Sequence, residues 1–309
     1  AGGGDLLEPL VAPAQLTPRD AFITKDGGVR AGWRVLLFFG LFVVFFKAFG
    51  AFLARLHPAD YAALQIEQYL FFVLAAWLAH YIMLRWVDHK PWSYVGLGAE
   101  QCTVRVLLIG LALGSLCILV PSGGLLLAHD LTVVTGLQGR YGWIALAAGG
   151  ALLFLPQSLS EEMLSRGYLF SALRDGVGEV GALAVTSLGF GLLHLRNPGA
   201  TAQSVTVVVL AGLFLGAILV ITRSLYAAWM AHFAWNWSMA DLLHAPVSGI
   251  RFPYSGYRVD DAGPDWLTGG SWGPEGGAAA VAGMTVGIAL LIAWYRRVSS
   301  RTGSTPDLA

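Results

Sequence analysis

The chain has 309 residues, 56% of them hydrophobic and only 12% charged, about half the charged share of an ordinary soluble domain. With a mean hydropathy of +0.64, this excludes a soluble globular enzyme and reads as a polytopic membrane protein. Nineteen basic and nineteen acidic residues cancel, so a nucleic-acid or polyanionic partner is not expected, and two cysteines, Cys102 and Cys117, are too few for a disulfide framework.

In chain order, residues 1–30 open with "AGGGDLLEPLVAPAQLTPRD", which lacks a basic segment followed by an apolar one. It does not read as a signal peptide but as a mobile cytoplasmic tail rich in Gly, Pro and Ala. A bilayer core asks for about 20 apolar residues per crossing helix. Windows of that kind fall at 32–54, 62–84, 104–128, 141–160, 180–194, 204–222, 226–243 and 278–295. The expected fold class is therefore all-α: a polytopic membrane helix bundle of about eight transmembrane helices. The fourth window is expected to continue as helix through "SEEMLSRGYLFSALRD" to about Asp175, and the fifth is short for a full crossing.

Lysine and arginine set the orientation. If both termini are inside, the cytoplasmic side collects Arg19, Lys25, Arg30, Arg34, Arg85, Lys90, Arg105, Arg166, Arg174, Arg223, Arg296, Arg297 and Arg301. The other side keeps only Arg55, Arg140, Arg196, Arg251 and Arg258. The asymmetry predicts N-in, C-in. Residues 85–103, "RWVDHKPWSYVGLGAEQCT", read as an interfacial segment with Trp and Tyr at headgroup level. Residues 244–277, dense in Gly, Pro and aromatics, read as a long extracytoplasmic loop. The domain plan is a tail at 1–30, one membrane domain at 31–298 with its chemistry in 141–245, and a cytoplasmic tail at 299–309.

Ionisable side chains within spanning helices are costly and by default mark function. The roster near the fourth to seventh windows is Glu161, Glu162, Arg166, His194, His232, Asn236 and Asp241. Glu162 and Arg166, at i and i+4, stack on one helix face and suit an ion pair, whereas Glu161 is turned away from Glu162 by about 100°. One carboxylate thus has a partner and the other is free to act as a base. The bland alternative is a helix end emerging into water, where such charges are ordinary. In "FGLLHLRNP", His194 ends the fifth window, and a lone interfacial histidine is more often tolerated than catalytic. His232 and Asn236 in "MAHFAWNWSMAD" are i and i+4, so two hydrogen-bonding side chains aim at one place; the bland reading is a polar contact between helices.

A carboxylate beside an imidazole can take a proton from water attacking a carbonyl, and a second imidazole with an amide can stabilise the oxyanion. That inventory describes peptide hydrolysis and calls for no cofactor. The same side chains, Glu161, His194 and His232, are alternatively ligands for a divalent metal such as zinc, with metal-bound water as nucleophile. Their spacing does not decide between the two.

"EEMLSR" spells Glu-Glu-x-x-x-Arg, Phe190 with His194 spells Phe-x-x-x-His, and His232 with Asn236 spells His-x-x-x-Asn. Three such motifs in this order on successive helices resemble the CPBP family of intramembrane proteases (CAAX proteases and bacteriocin-processing enzymes, also called Abi), which includes the type II CAAX prenyl endopeptidases. The resemblance covers about residues 85 to 245. It implies that Glu161 and His194 activate the water, that His232 and Asn236 form the oxyanion site, and that Glu162 and Arg166 hold the motif in shape, with Phe190 in support. It also implies a membrane-associated or lipidated peptide substrate, the lipid bilayer as surroundings, no nucleic acid, and residence in a bacterial cytoplasmic (inner) membrane. Glu161 near the cytoplasmic end of its helix predicts a cavity open to that half of the bilayer.

Other intramembrane proteases fail on spelling. There is no His-Glu-x-x-His and no rhomboid-type Gly-x-Ser-Gly, and the Gly-x-Gly-Asp at Gly2 to Asp5 lies in the polar tail. The rival readings are a non-proteolytic immunity or scaffold protein of the same fold, and a proton-coupled transporter, since buried Glu and His also serve proton relays.

Overall fold

The architecture is that of a computed structural model describing residues 21–24, 27–56, 65–139 and 141–302. Most of the expected N-terminal tail, Gly2 to Asp5 included, most of the expected C-terminal tail, and Arg19, Lys25 and Arg140 of the charge count lie outside the described residues. Each of the eight apolar windows carries a helix: α1 (Ala31–Leu56), α2 (Gln65–Ile82), α3 (Val104–Leu127), α4 (Trp143–Arg166), α5 (Tyr168–Leu193), α6 (Ala202–Thr222), α7 (Leu225–Trp237) and, after a short α8 (Asp265–Thr268), α9 (Ala278–Thr302). Among the described residues, six helical stretches are long and apolar enough to cross a membrane. One is the nearly continuous Trp143–Arg196, and the 13-residue α7 is too short to count by itself. The chain is an integral membrane protein.

Two expectations are corrected. The bundle is mostly helical, but it also carries a two-stranded ribbon that was not expected, in which β1 (Leu131–Leu137) pairs antiparallel with β2 (Gly256–Asp261), Leu131 opposite Asp261 and Thr135 opposite Tyr257. A search for 20-residue apolar runs passes over seven-residue strands such as "LTVVTGL", although its β-branched residues suit a ribbon. The second concerns α4, which stops at Arg166 instead of running on to Asp175. Gly167 leaves the helical region (φ −79°, ψ −118°) and a new helix starts at Tyr168. A Cβ on Gly167 would lie 2.2 Å from His80 Nε2 and 2.5 Å from the Met163 carbonyl, so only glycine allows the break. The amide freed there donates to His80 Nε2 at 2.9 Å, while His80 Nδ1 donates to the Ala76 carbonyl at 2.7 Å. Without water, each backbone group must find such a partner within the protein.

Helix packing then fixes where side chains point. Gly110 and Gly114 of α3 face α7, where a Cβ would come within 2.4 Å of the Ala227 carbonyl and 2.0 Å of that of Ala231; this is the small-residue spacing that lets membrane helices approach. From the other side, Trp229 and Trp237 of α7 donate their indole N–H groups to the Leu155 and Ala147 carbonyls of α4, both at 2.9 Å. These bonds straddle His232 and Asn236 and hold them against α4. Where α1, α5 and residues 85–103 meet, buried Arg34 binds Asp88 at 2.7 Å, Asp175 at 2.9 Å and the hydroxyls of Tyr94 and Tyr168 at 2.7 and 3.1 Å. Burial, together with donation to Asp175, pushes the Tyr94 phenol up to about 12, so it remains a donor at ordinary pH.

Candidate functional site

The motif residues converge on one cavity of about 440 Å³. Glu161 of α4, His194 at the end of α5, and His232 and Asn236 of α7 all line it. Glu162 and Arg166 stand behind that wall, fully buried. Their ion pair is formed at 2.9 Å, as the i, i+4 spacing predicts. Glu162 does more than the spacing shows: its Oε1 is also 2.9 Å from His232 Nδ1. A carboxylate in this place accepts, so Nδ1–H donates to it and Nε2 is turned towards the cavity, 3.8 Å from Glu161 Oε2. Arg166 in turn donates to the Gly212 carbonyl of α6 at 3.1 Å and lies 4.1 Å over the Phe190 ring. Phe190 therefore packs between the buried guanidinium and two imidazoles, with ring centroids 4.9 Å from His194 and 5.8 Å from His232. This contact is the physical content of the Phe-x-x-x-His spacing.

His194 is also set by its backbone. Nδ1 lies 2.8 Å from the Phe190 carbonyl, which can only accept, so Nδ1 holds the proton and the Nε2 of the neutral ring presents a lone pair. Glu161 and Asn236 are joined by a residue that the motif reading passed over. Gln157 Nε2 donates to Glu161 Oε1, and Gln157 Oε1 accepts from Asn236 Nδ2 at 3.0 Å. Its signal was present in the sequence: Gln157 is four residues before Glu161, on the same helix face. The other carboxylate oxygen, Glu161 Oε2, is buried and has no hydrogen-bond partner among the described residues.

The long loop contributes as well, where the sequence reading left it outside the site. Val247, Ser248, Ile250 and Phe252 line the cavity, and Asn197 Nδ2 donates to the Ser248 carbonyl at 3.2 Å. Buried Glu275 clamps this strap: it accepts from the Ser248 backbone N–H, from Ser248 Oγ at 2.8 Å and from Trp235 Nε1 at 2.8 Å. Phe39 and Phe42 of α1 and Gln65, Tyr69 and Phe72 of α2 complete the lining. Loop and early helices carry no motif, so nothing local in the sequence ties them to the site. The cavity thus reaches the bundle end where α2 begins at Gln65 and the 247–252 strap lies, which N-in places outside, so the expectation of a cavity facing the cytoplasmic half does not hold together with that orientation.

Among the described residues, no three His, Cys, Asp or Glu side chains are gathered in a way that could hold a metal ion. The set Glu161, His194 and His232 shares the cavity wall but does not form a ligand cluster. Asp241 lies outside this cavity. Cys102 is exposed and Cys117 buried, both as free thiols.

Residues 142–238 match the family model described as Type II CAAX prenyl endopeptidase Rce1-like. This segment is Rce1-like. The resemblance read from the three motifs is borne out, and the matched residues contain all of them. The Rce1-like segment covers α4 to α7, of which α4, the end of α5 and α7 carry the motif side chains at the cavity and α6 offers the Gly212 carbonyl to Arg166 behind it, and the family's description names a peptidase. No curated protein matches the chain.

Proposed function

We propose that the chain is an intramembrane endopeptidase of the CPBP type, acting on a membrane-associated or lipidated peptide. The observation carrying this is one cavity, walled by apolar helices, into which Glu161, His194, His232 and Asn236 all project. In this reading Glu161 Oε2 takes the proton from the attacking water, which also donates to the lone pair of His194 Nε2, and Glu161 returns that proton to the leaving amine as the C–N bond breaks. His232, doubly protonated so that Nε2–H donates into the cavity while Nδ1–H stays on Glu162, faces the developing oxyanion together with the Asn236 amide. Glu162 and Arg166 orient His232, Phe190 spaces the two imidazoles, and the low dielectric of the site strengthens each of these interactions. No step is routed through a metal, because the side chains present do not gather as ligands. Substrates lie in the bilayer, which we take to be a bacterial cytoplasmic membrane. The proteolytic domain is residues 31–298, between two cytoplasmic tails, in the N-in, C-in orientation supported by the lysine and arginine asymmetry.

The test compares membrane-protein termini from cells making the unaltered chain, Glu161→Ala or His194→Ala. A set of termini should vanish in both variants while each purified protein keeps its thermal unfolding in detergent. Termini that persist in both, from folded protein, would refute the peptidase and leave a non-proteolytic scaffold of this fold.

A further inference from the structure

A second cavity of about 340 Å³ adjoins the first. The two share Leu153, Phe154 and Phe252, and the Phe154 and Phe252 rings meet edge-on between them at 5.0 Å. The second is mostly apolar; besides Tyr141 its polar lining is Asp241, from the turn of π-helix that continues α7, which is 5% exposed. Its Oδ2 is buried with no hydrogen-bond partner among the described residues. The carboxylate lies against the bare backbone of α4, since a Cβ on Gly150 would fall 1.9 Å from that oxygen, while one on Gly149 would meet nothing. A buried carboxylate left without a donor is costly, and is retained where a group of opposite charge comes to meet it.

We propose that this cavity binds a cationic side chain, lysine or arginine, of the peptide being cut, with Asp241 as its counter-charge. This rests on the peptidase reading for the identity of the ligand, though not for the site itself. A peptide is favoured over a free amphiphile because the cavity continues directly from the one holding Glu161. Eleven residues of α4 separate Glu161 from Gly150 and nine of α7 separate His232 from Asp241, spans of about 16 and 14 Å at 1.5 Å per residue. An extended peptide advances about 3.3 Å per residue. The basic residue therefore lies about four or five positions from the scissile bond, and Asp241 is a specificity-determining residue.

Two measurements test it. The purified full-length protein in detergent is titrated with octylammonium and with octanol, its neutral analogue. Octylammonium should bind about tenfold tighter or more, as a charge-assisted hydrogen bond implies, and Asp241→Asn should erase that preference without loss of the folded state. Equal binding of the two probes, or a preference surviving Asp241→Asn, overturns the cation site. The second measurement applies the comparison of termini to Asp241→Asn. Termini that depend on Glu161 should carry Lys or Arg about four or five residues away and should diminish in Asp241→Asn. Glu161-dependent termini lacking that residue and unaffected by Asp241→Asn would overturn the peptide as ligand, even with octylammonium bound. If Glu161→Ala removes no termini, the peptidase reading falls and takes the substrate assignment with it, while the titration still decides the cation site.

Discussion

Replacing Arg166 by methionine keeps an unbranched stem of similar length against Phe190 and deletes the charge. Both members of its pair with Glu162 are wholly buried, 2.9 Å apart, and the remaining arginine bonds are to the Gly212 carbonyl and to Ser165 Oγ. Removing one partner of such a pair leaves an uncompensated charge in low dielectric, which costs about 3–5 kcal/mol. Glu162→Gln should cost about as much for the same reason, leaving the guanidinium with only carbonyl and hydroxyl partners. If each loss comes from stranding the other charge, the double variant Glu162→Gln/Arg166→Met strands neither. It should fall short of the summed single losses by at least about 2 kcal/mol, well beyond the 0.3–0.5 kcal/mol within which independent sites add. Reversible unfolding in mixed micelles, followed by the fluorescence of the 11 tryptophans, measures all four corners of the cycle. Additive costs would refute the account of Arg166 and Glu162 as one buried electrostatic unit. A loss below about 1 kcal/mol for Arg166→Met would refute the burial argument itself. The double variant, though folded, should remain poorly active, because His232 Nδ1 would meet an amide in place of a carboxylate.

Gln157→Ala should lower kcat about tenfold or more with little change in unfolding temperature, since it frees Glu161 and Asn236 from each other; an unchanged kcat would remove Gln157 from the site. Glu275→Ala should raise KM and speed proteolytic nicking near Ser248, because the clamp on the 247–252 strap is lost, and equal nicking rates would count against it. Gly167→Ala should destabilise the fold by more than about 2 kcal/mol, as a Cβ there overlaps His80 and the Met163 carbonyl; wild-type stability would show that the helix break does not require glycine. With Cys102 replaced by serine, a cysteine at exposed Val177 should react only from the cytoplasmic side and one at exposed Trp266 only from the other. The reverse pattern would overturn the N-in orientation.

The fold was legible wherever a single helix declares itself. Each apolar window became a helix because the bilayer requires about 20 apolar residues with internally satisfied backbone. The pairing of Glu162 with Arg166 and the common face of His232 and Asn236 were legible for a similar reason: helical periodicity is local geometry. The β-ribbon and the break at Gly167 were not, since a strand needs its partner more than a hundred residues away and the break is set by contact with His80 on α2. Nor were the roles of Glu275, Ser248 and Tyr69, which reach the cavity from segments with no motif. Composition, apolar windows and helical spacing were enough for a membrane-embedded helical protein and its three motifs. That Glu162 reaches His232, that Gln157 joins Glu161 to Asn236, and that Asp241 faces a separate cavity beside them came from the packing of the helices alone. Spacing along a helix fixes which side chains share a face, but which face meets which is settled by packing between helices distant in the chain.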